Sequence, residues 1–432
     1  MNTKKSLPKS ILFTVAIMLL FRMLSVIPTW GVDRELLASS MDIWGVMNVL
    51  SGGALSTASI MAVGISAFIT ANIIMQMLCV MFDKLKAMQN GGATERKRYQ
   101  QLSNIVGVLF SIFESFATAA LLGRTGTLIA NNFWVVFAVG LQMFIGCLFT
   151  FGLTKLIEKY GFGDGISMIL LVNIASSFPG ALTSLKDMFI REVSMDAAPA
   201  LCCAIAAMAL FFMAVYYIQS LQKEFPVRYA KRLSSSTLTK EKILPVGFSL
   251  TGVMPIILSM SLIQLVTMIA GFLPQNGVLG TISMFLTADN WFRPNAMIFS
   301  LGALVVFLLT IPCTLFYGKV TLNTEQLAKN LQVQNGVITG VRPGTETEAF
   351  LNKQTTGMFI LSGCVTAVIV LVPQFVANFI GANGVFYIGT AAIITMSVLS
   401  NLITKYKAQT SQVSINKVIN APEPKLIAAF GE

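Results

Sequence analysis

The sequence predicts an all-α polytopic membrane protein with ten transmembrane helices, and three observations predict it. Of its 432 residues, 55% are hydrophobic and 11% charged, against roughly 25% charged in ordinary soluble domains. The apolar residues fall into blocks of about 20 with few charges, the length at which a helix crosses a bilayer. The basic residues are also one-sided. Of the 30 lysines and arginines, only Arg34, Arg124, Lys186, Arg191 and Arg293 fall in one set of alternate loops, and Arg22 lies within the first block. Translocation disfavours positive loops, so the remaining loops and both termini are expected in the cytoplasm. The net charge of +11 is therefore concentrated on one face, where it serves orientation and suits an anionic partner.

The elements follow in order. Block 11–30 is full length and has no small-residue cleavage site after it, so it reads as a span and not as a cleaved leader. Arg22 lies inside it, beyond snorkelling reach of either end of a straight helix, and is expected to face protein. Residues 51–76, "SGGALSTASIMAVGISAFITANIIMQ", begin with glycines and hydroxyls and pass into span 64–82 without a charged loop. The first half is too polar to face lipid. It suits a re-entrant segment beside water or a helix in the membrane interface. Spans 103–123, 133–154 and 165–181 come next, with Glu114 expected on the bundle interior. Within spans 64–82 and 165–181, Ile65 and Ile69, then Ile166 and Leu170, are four apart and share a helix face.

Span 197–219 leads into a basic loop, 220–250, where Arg228, Lys231 and Arg232 lie near Tyr229. Spans 252–273 and 296–318 lead into a second loop, 319–355. There Asn323 stands three residues before Gln326, a capping-box spacing that starts a helix, and Gly336 is placed to stop it. Thr345, three before Glu348, starts another. Between them "GVITGVRPGT" is a stiff turn with Arg342 at its tip. Spans 356–376 and 384–404 and a cytoplasmic tail, 405–432, complete the chain.

Chemistry is scarce. There is no histidine, which removes the commonest general base and metal ligand. Cys79, Cys147, Cys202, Cys203, Cys313 and Cys364 all lie in spans, spaced for neither disulfides nor a metal, and are expected buried and free. No G-x-x-x-x-G-K-[ST] loop is present, so any energy must come from a partner. No enzyme, catalytic residue, metal or cofactor is expected. An ion-coupled carrier would need an intramembrane charged cluster, and the spans offer only Arg22 and Glu114.

Several stretches, in order along the chain, resemble the SecY family, central subunits of Sec protein-conducting channels. "VLSGGALSTASIMAVGISAFITANIIMQML" is similar to that family's plug and second span, and "GFGDGISMILL" to the opening of its fifth. "VRYAKR" with "LPVGFSLTGVMPIILSMSLI" is similar to the loop before its seventh span and the span itself. "NTEQLAKNLQVQNGVITGVRPGTETEAFL" resembles its second large cytoplasmic loop, through a G-x-R-P-G-x-x-T core. "FRMLSVIP" and "FYIGTAA" are weaker matches. This chain departs from the pattern at Asp164, where the family has asparagine, at Thr324 and Thr339, where it has prolines, and at Glu114, more often an amide. A single glycine, Gly389, stands before the tenth span where the family has a pair.

The resemblance implies two inverted five-helix halves around a central pore, residues 1–181 and 182–404. It implies a re-entrant plug at about 45–62, including Ser51, Gly52, Gly53, Ala54, Leu55, Ser56 and Thr57. It aligns Ile65, Ile69, Ile166, Leu170, Ile257 and Ile394 (or its neighbour Thr395) with an aliphatic pore ring, which would gate by dewetting and yield to any passing chain. It implies sideways opening between the second and seventh spans, a seam that Asn72 and Gln76 can close by hydrogen bonds. Arg228, Lys231, Arg232 and Arg342 would contact a ribosome or the SecA motor. SecE and SecG are implied as further subunits, nascent secretory and membrane proteins as substrates, and the cytoplasmic membrane of a prokaryote as the location. The alternatives are a secondary transporter or lipid-linked flippase and, within the family, an accessory channel for a restricted substrate set.

Overall fold

The computed structural model describes residues 7–33, 54, 57–124, 126–130, 132–193, 197–229, 242–248, 254–271, 285, 291, 300–334, 336–380 and 388–419. Their helices are α1 (Leu7–Leu24), α2 (Ser66–Met81), α3 (Asp83–Asn90), α4 (Ala93–Arg124), α5 (Phe133–Tyr160), α6 (Gly165–Val193), α7 (Ala197–Ser220), α8 (Met254–Gly271), α9 (Leu301–Thr321), α10 (Thr324–Val333), α11 (Thr345–Ile380) and α12 (Ile388–Ile419). Three strands, β1 (Gln222–Tyr229), β2 (Lys242–Gly247) and β3 (Gly336–Ile338), form a small sheet between them.

Among the described residues, seven helices are long and apolar enough to cross a membrane, at the third to sixth and eighth to tenth expected spans. The other three expected spans are represented by shorter apolar helices. α1 has 18 residues and ends at Leu24, well short of residue 30. Hydropathy runs on through 25–30, but Pro28 disfavours helix at the residue before it. The correction moves Arg22 into the last helical turn, where a cation suits the helix dipole. There its Nη1 donates to Ser25 Oγ at 3.2 Å. The second, α2, has 16 residues and ends at Phe82 where the expected block does, and the chain then turns by 114° into α3. The seventh is the shorter apolar stretch Met254–Thr267.

Packing follows a repeated pattern. α1 lies on α5 and α6, α2 on α4, α4 on α5, and α5 on α6. Likewise α7 lies on α12, α8 on α9, α9 on α11, and α11 on α12. Between the two sets α6 meets α7 and α12, while on another side α2 touches α8 along a short seam. Glycines make notches for aromatic rings within each set: Phe68 of α2 sits over Gly107 of α4, and Phe359 of α11 over Gly318 of α9. Such close approach is how helices associate where lipid removes the hydrophobic drive. Phe133, Trp134, Leu210 and Met213 point outward and exposed, as a lipid-facing surface requires.

The sheet was not legible in advance. Its order is β2-β1-β3, antiparallel throughout, with Arg228 opposite Val337. It joins loop 220–250 to loop 319–355. Phe225 and Val227 alternate inward along β1 and pack against Phe350 and Leu351 of α11 and Leu331 of α10. At about 1.5 Å per residue, the 36 residues of α11 extend roughly 54 Å. That exceeds the roughly 30 Å hydrocarbon core, so one helix serves both the bundle and this extramembrane layer.

Candidate functional site

The candidate site starts from two helix beginnings. Ile65 directly precedes α2, and Ile69 follows one turn later. Ser66 at the first position of α2 donates from Oγ to Glu114 Oε1 of α4 at 2.7 Å. Glu114 is buried, so it is a carboxyl held at a helix N-terminus inside protein. α6 begins with a side-chain cap. Asp164 Oδ2 accepts from Ser167 N at 3.3 Å and from Ser167 Oγ at 2.8 Å. Aspartate and asparagine cap helices equally well, so the departure at 164 preserves the geometry. This cap orients the turns that carry Ile166 and Leu170.

Ile65, Ile69, Leu170, Ile257 and Ile394 are all buried in one hydrophobic cluster, and Ile166 is half-buried against it. They come from α2, α6, α8 and α12, which are far apart in sequence. Of the two residues considered in α12, Ile394 belongs to this cluster, whereas Thr395 Oγ1 bonds back to Ala391 O. All six side chains are aliphatic, so a ring made of them would hold no group to grip a polar or charged passenger.

The segment entering α2 is irregular and anchored on two sides. Ser51, Gly52, Gly53, Leu55 and Ser56 lie outside the described residues. Ala54 is buried and Thr57 exposed, with Thr57 Oγ1 donating to Ala54 O at 3.2 Å. Ala58 takes a positive φ of 41°, and its carbonyl accepts from both Thr29 N at 2.8 Å and Thr29 Oγ1 at 2.7 Å. Ile60 N donates to Ile27 O at 3.0 Å. On the other side Gly146 of α5 presses against the Ile60 carbonyl, and a side-chain carbon there would collide with it. Cys147 Sγ donates to Gly64 O at 3.0 Å. These contacts satisfy the non-helical backbone within protein, a requirement for irregular chain at membrane depth.

Sequence reasoning missed Thr29, Gly146 and Cys147. The available signal was Gly146 and Thr150 four apart, a small-residue spacing of the kind that admits a close neighbour. The cysteine expectation also needs correction, because Cys203 and Cys364 are only half-buried and Cys202 is exposed on α7. Its face turns away from the packed core, and periodicity does not reveal that in a helix apolar all round.

At the α2–α8 seam the two polar residues behave differently. Asn72 Oδ1 accepts from Ser103 Oγ of α4 at 2.6 Å, within its own set of helices. Gln76 reaches across to α9, where its side chain meets the Tyr317 hydroxyl. Its Oε1 is buried without a partner.

The basic candidates divide in the same way. Arg228 on β1 and Arg342 in the turn before α11 are both exposed. Lys231 and Arg232 lie outside the described residues. The Arg342 turn is braced by Thr347 Oγ1, which donates to Arg342 O at 2.7 Å, and by Gly340 and Gly344 at φ of 88° and 106°. Asn323 caps α10 as its spacing predicts, accepting from Gln326 N at 3.1 Å. α11 starts at Thr345, so that residue lies inside the first turn and does not cap it. On exposed α10, Lys329 lies 2.6 Å from Glu325 and holds its carboxyl below the usual range.

The family model described as SecY matches residues 59–403. The protein translocase subunit SecY of Buchnera aphidicola is 28% identical, covering 94% of this chain and 93% of its own. That of Escherichia coli K12 is 27% identical, covering 91% and 89%. Among solved structures, one described as a protein-conducting channel superposes with a TM-score of 0.69 at 17% identity, covering 95% and 94%. Sec61 from the canine ribosome-channel complex superposes at 0.67, with the same identity and coverage. These relatives do not favour the carrier or flippase alternative. The chain belongs to the SecY family.

Proposed function

We infer that this protein forms the conduit of a protein-conducting channel in a membrane that its helices cross many times. The observation that carries this is that Ile65, Ile69, Leu170, Ile257 and Ile394, from four separate helices, are all buried in one hydrophobic cluster, beside an irregular segment anchored by Thr29, Gly146 and Cys147. Within that function we propose a finer assignment. Ten spans cross the cytoplasmic membrane of a prokaryote in two inverted halves, with both termini inside. Residues 45–62 form the plug. Ile65, Ile69, Ile166, Leu170, Ile257 and Ile394 form the constriction, and the α2–α8 seam, with Asn72 and Gln76, opens to lipid. Apolar segments then partition outward, because leucine-like residues gain about 0.3–0.6 kcal/mol each at the bilayer centre while charges lose about 2.5–3.5.

The driving force comes from a partner on the basic layer at Arg228, Lys231, Arg232 and Arg342. A ribosome is one such partner, since the canine Sec61 and yeast Ssh1 structures with this fold are ribosome complexes. SecA is the other, with SecE and SecG as companion subunits. The test is reconstitution of the chain with these subunits and the motor in sealed vesicles. A secretory precursor should become protected from external protease, and Arg342→Glu should reduce protection several-fold without lowering the amount of channel. Absence of any protection with the parent chain would remove the reading.

A further inference from the structure

Where the sheet meets the bundle there is a cavity of about 470 Å³. The end of α7, the start of β1, the residues after β2 and the middle of α11 converge on it. Leu221, Phe248, Met358 and Leu361 line its apolar part, and Lys223 and Lys353 stand at its polar part. Its depth in the membrane follows from the sequence. Leu221 directly follows one expected span (197–219), Phe248 precedes another (252–273), and residues 353–361 straddle the start of a third (356–376). Three span ends therefore place it at the boundary between headgroups and hydrocarbon.

The two ends of the cavity differ in chemistry. Lys223 Nζ donates to Gln354 Oε1 at 2.7 Å and lies 5.8 Å from the centre of the Phe225 ring, so its ammonium is held towards the cavity from the sheet. Lys353 approaches from α11 and is exposed. Among the described residues no acidic side chain lines the space. Below them Leu221 and Leu361 are exposed apolar residues of the kind that face lipid. Gly357 lies between the charged and apolar ends, and a side-chain carbon there would meet nothing within 4 Å. A mid-helix glycine costs roughly 0.5–1 kcal/mol relative to alanine, and here it leaves the space open.

We propose that this cavity seats an anionic phospholipid of the cytoplasmic leaflet. The phosphate lies between Lys223 and Lys353, and the first acyl carbons lie on Leu221, Met358 and Leu361. Paired cations over an apolar floor at an interface match an amphiphile with a negative head, and neither a soluble anion nor an acyl chain alone satisfies both ends. The bound lipid would tie the sheet carrying Arg228 to the bilayer surface. The proposal rests on the orientation argued above, with the sheet on the cytoplasmic side.

Native mass spectrometry of the purified channel with its companion subunits tests it, with phosphatidylglycerol, phosphatidylcholine and inorganic phosphate as separate probes. The parent should retain phosphatidylglycerol in preference to phosphatidylcholine, and millimolar phosphate should not displace it. Lys223→Gln with Lys353→Gln should weaken retention by roughly thirtyfold, from two interfacial cations. Gly357→Leu, which fills the space without changing charge, should also abolish it. Unchanged retention in both variants would overturn the proposal, as would equal retention of the two lipids. Loss of a companion subunit with lipid retention intact would also overturn it, because a protein would then be the occupant. Vesicle translocation by the parent separates failure of this site from failure of the channel reading.

Discussion

At the residue scale, single side chains hold backbone in place near the buried hydrophobic cluster. Asp164 is one. Its carboxylate satisfies the Ser167 N–H at the start of α6, so Asp164→Ala should cost about 1 kcal/mol, and Asp164→Asn should cost almost nothing. Thermal unfolding of the purified complex in detergent compares them. Gly146 is another, since any larger side chain meets the Ile60 carbonyl. Gly146→Val should overpack this contact by about 1–3 kcal/mol, displace the segment before α2, and raise resting ion conductance in planar bilayers. Gly152→Val is the control on the same helix, because a side chain there meets nothing within 4 Å. Equal conductance in the two variants would detach Gly146 from the seal. Individual roles of this kind were partly legible. The cap at Asn323 could be read from spacing, because both partners are local in the chain. Thr29 and Cys147 could not, since they act on Ala58 and Gly64 across long sequence separations.

At the element scale, the α2–α8 seam is the place to look for opening. Gln76 and Tyr317 meet across it, with Gln76 Oε1 buried and unpaired. Removing one partner of a buried polar contact strands the other at about 1–3 kcal/mol, whereas replacing both with apolar groups is neutral or stabilising. Gln76→Leu alone should therefore loosen the seam, and Gln76→Leu with Tyr317→Phe should tighten it. In a membrane-insertion assay on segments of graded leucine content, the single variant should release segments roughly two leucines poorer than the parent does, and the double variant should need richer ones. A shift in the same direction for both would refute this. Hydropathy made most helices legible, because a full-length apolar block has few other fates. It overran α1 at Pro28, because that proline does not change the mean apolarity, whereas the second block, 64–82, ends at Phe82 where α2 does. The sheet escaped for a different reason. Pro226 and Pro245 lie inside β1 and β2, and proline in a run argues against a strand. Pro226 sits just past the pairing with β3, where its carbonyl still accepts from Thr339 N at 3.3 Å. A proline at 339 would lack that N–H, so the family departure at this position adds a bond.

At the scale of the whole molecule, two sets of helices with recurring internal pairings meet along α6 on one side and along a thin α2–α8 seam on another. That arrangement suits two shells hinged at one edge, and it buries Ile65, Ile69, Leu170, Ile257 and Ile394, from four helices, in one hydrophobic cluster. Composition made the membrane class legible, whereas burial of residues from four helices in one cluster is a property of three-dimensional packing and could only be carried over from the family. The central claim is that a polypeptide passes through this collar. Its most direct test is site-specific photocrosslinking, with a photoreactive residue placed singly at Ile69, Leu170, Ile257 and Ile394 and a secretory chain stalled during export. The account predicts that all four positions capture the same short stretch of the stalled chain, while a lipid-facing control at Leu210 captures none. Capture at Leu210 but at none of the four would contradict it.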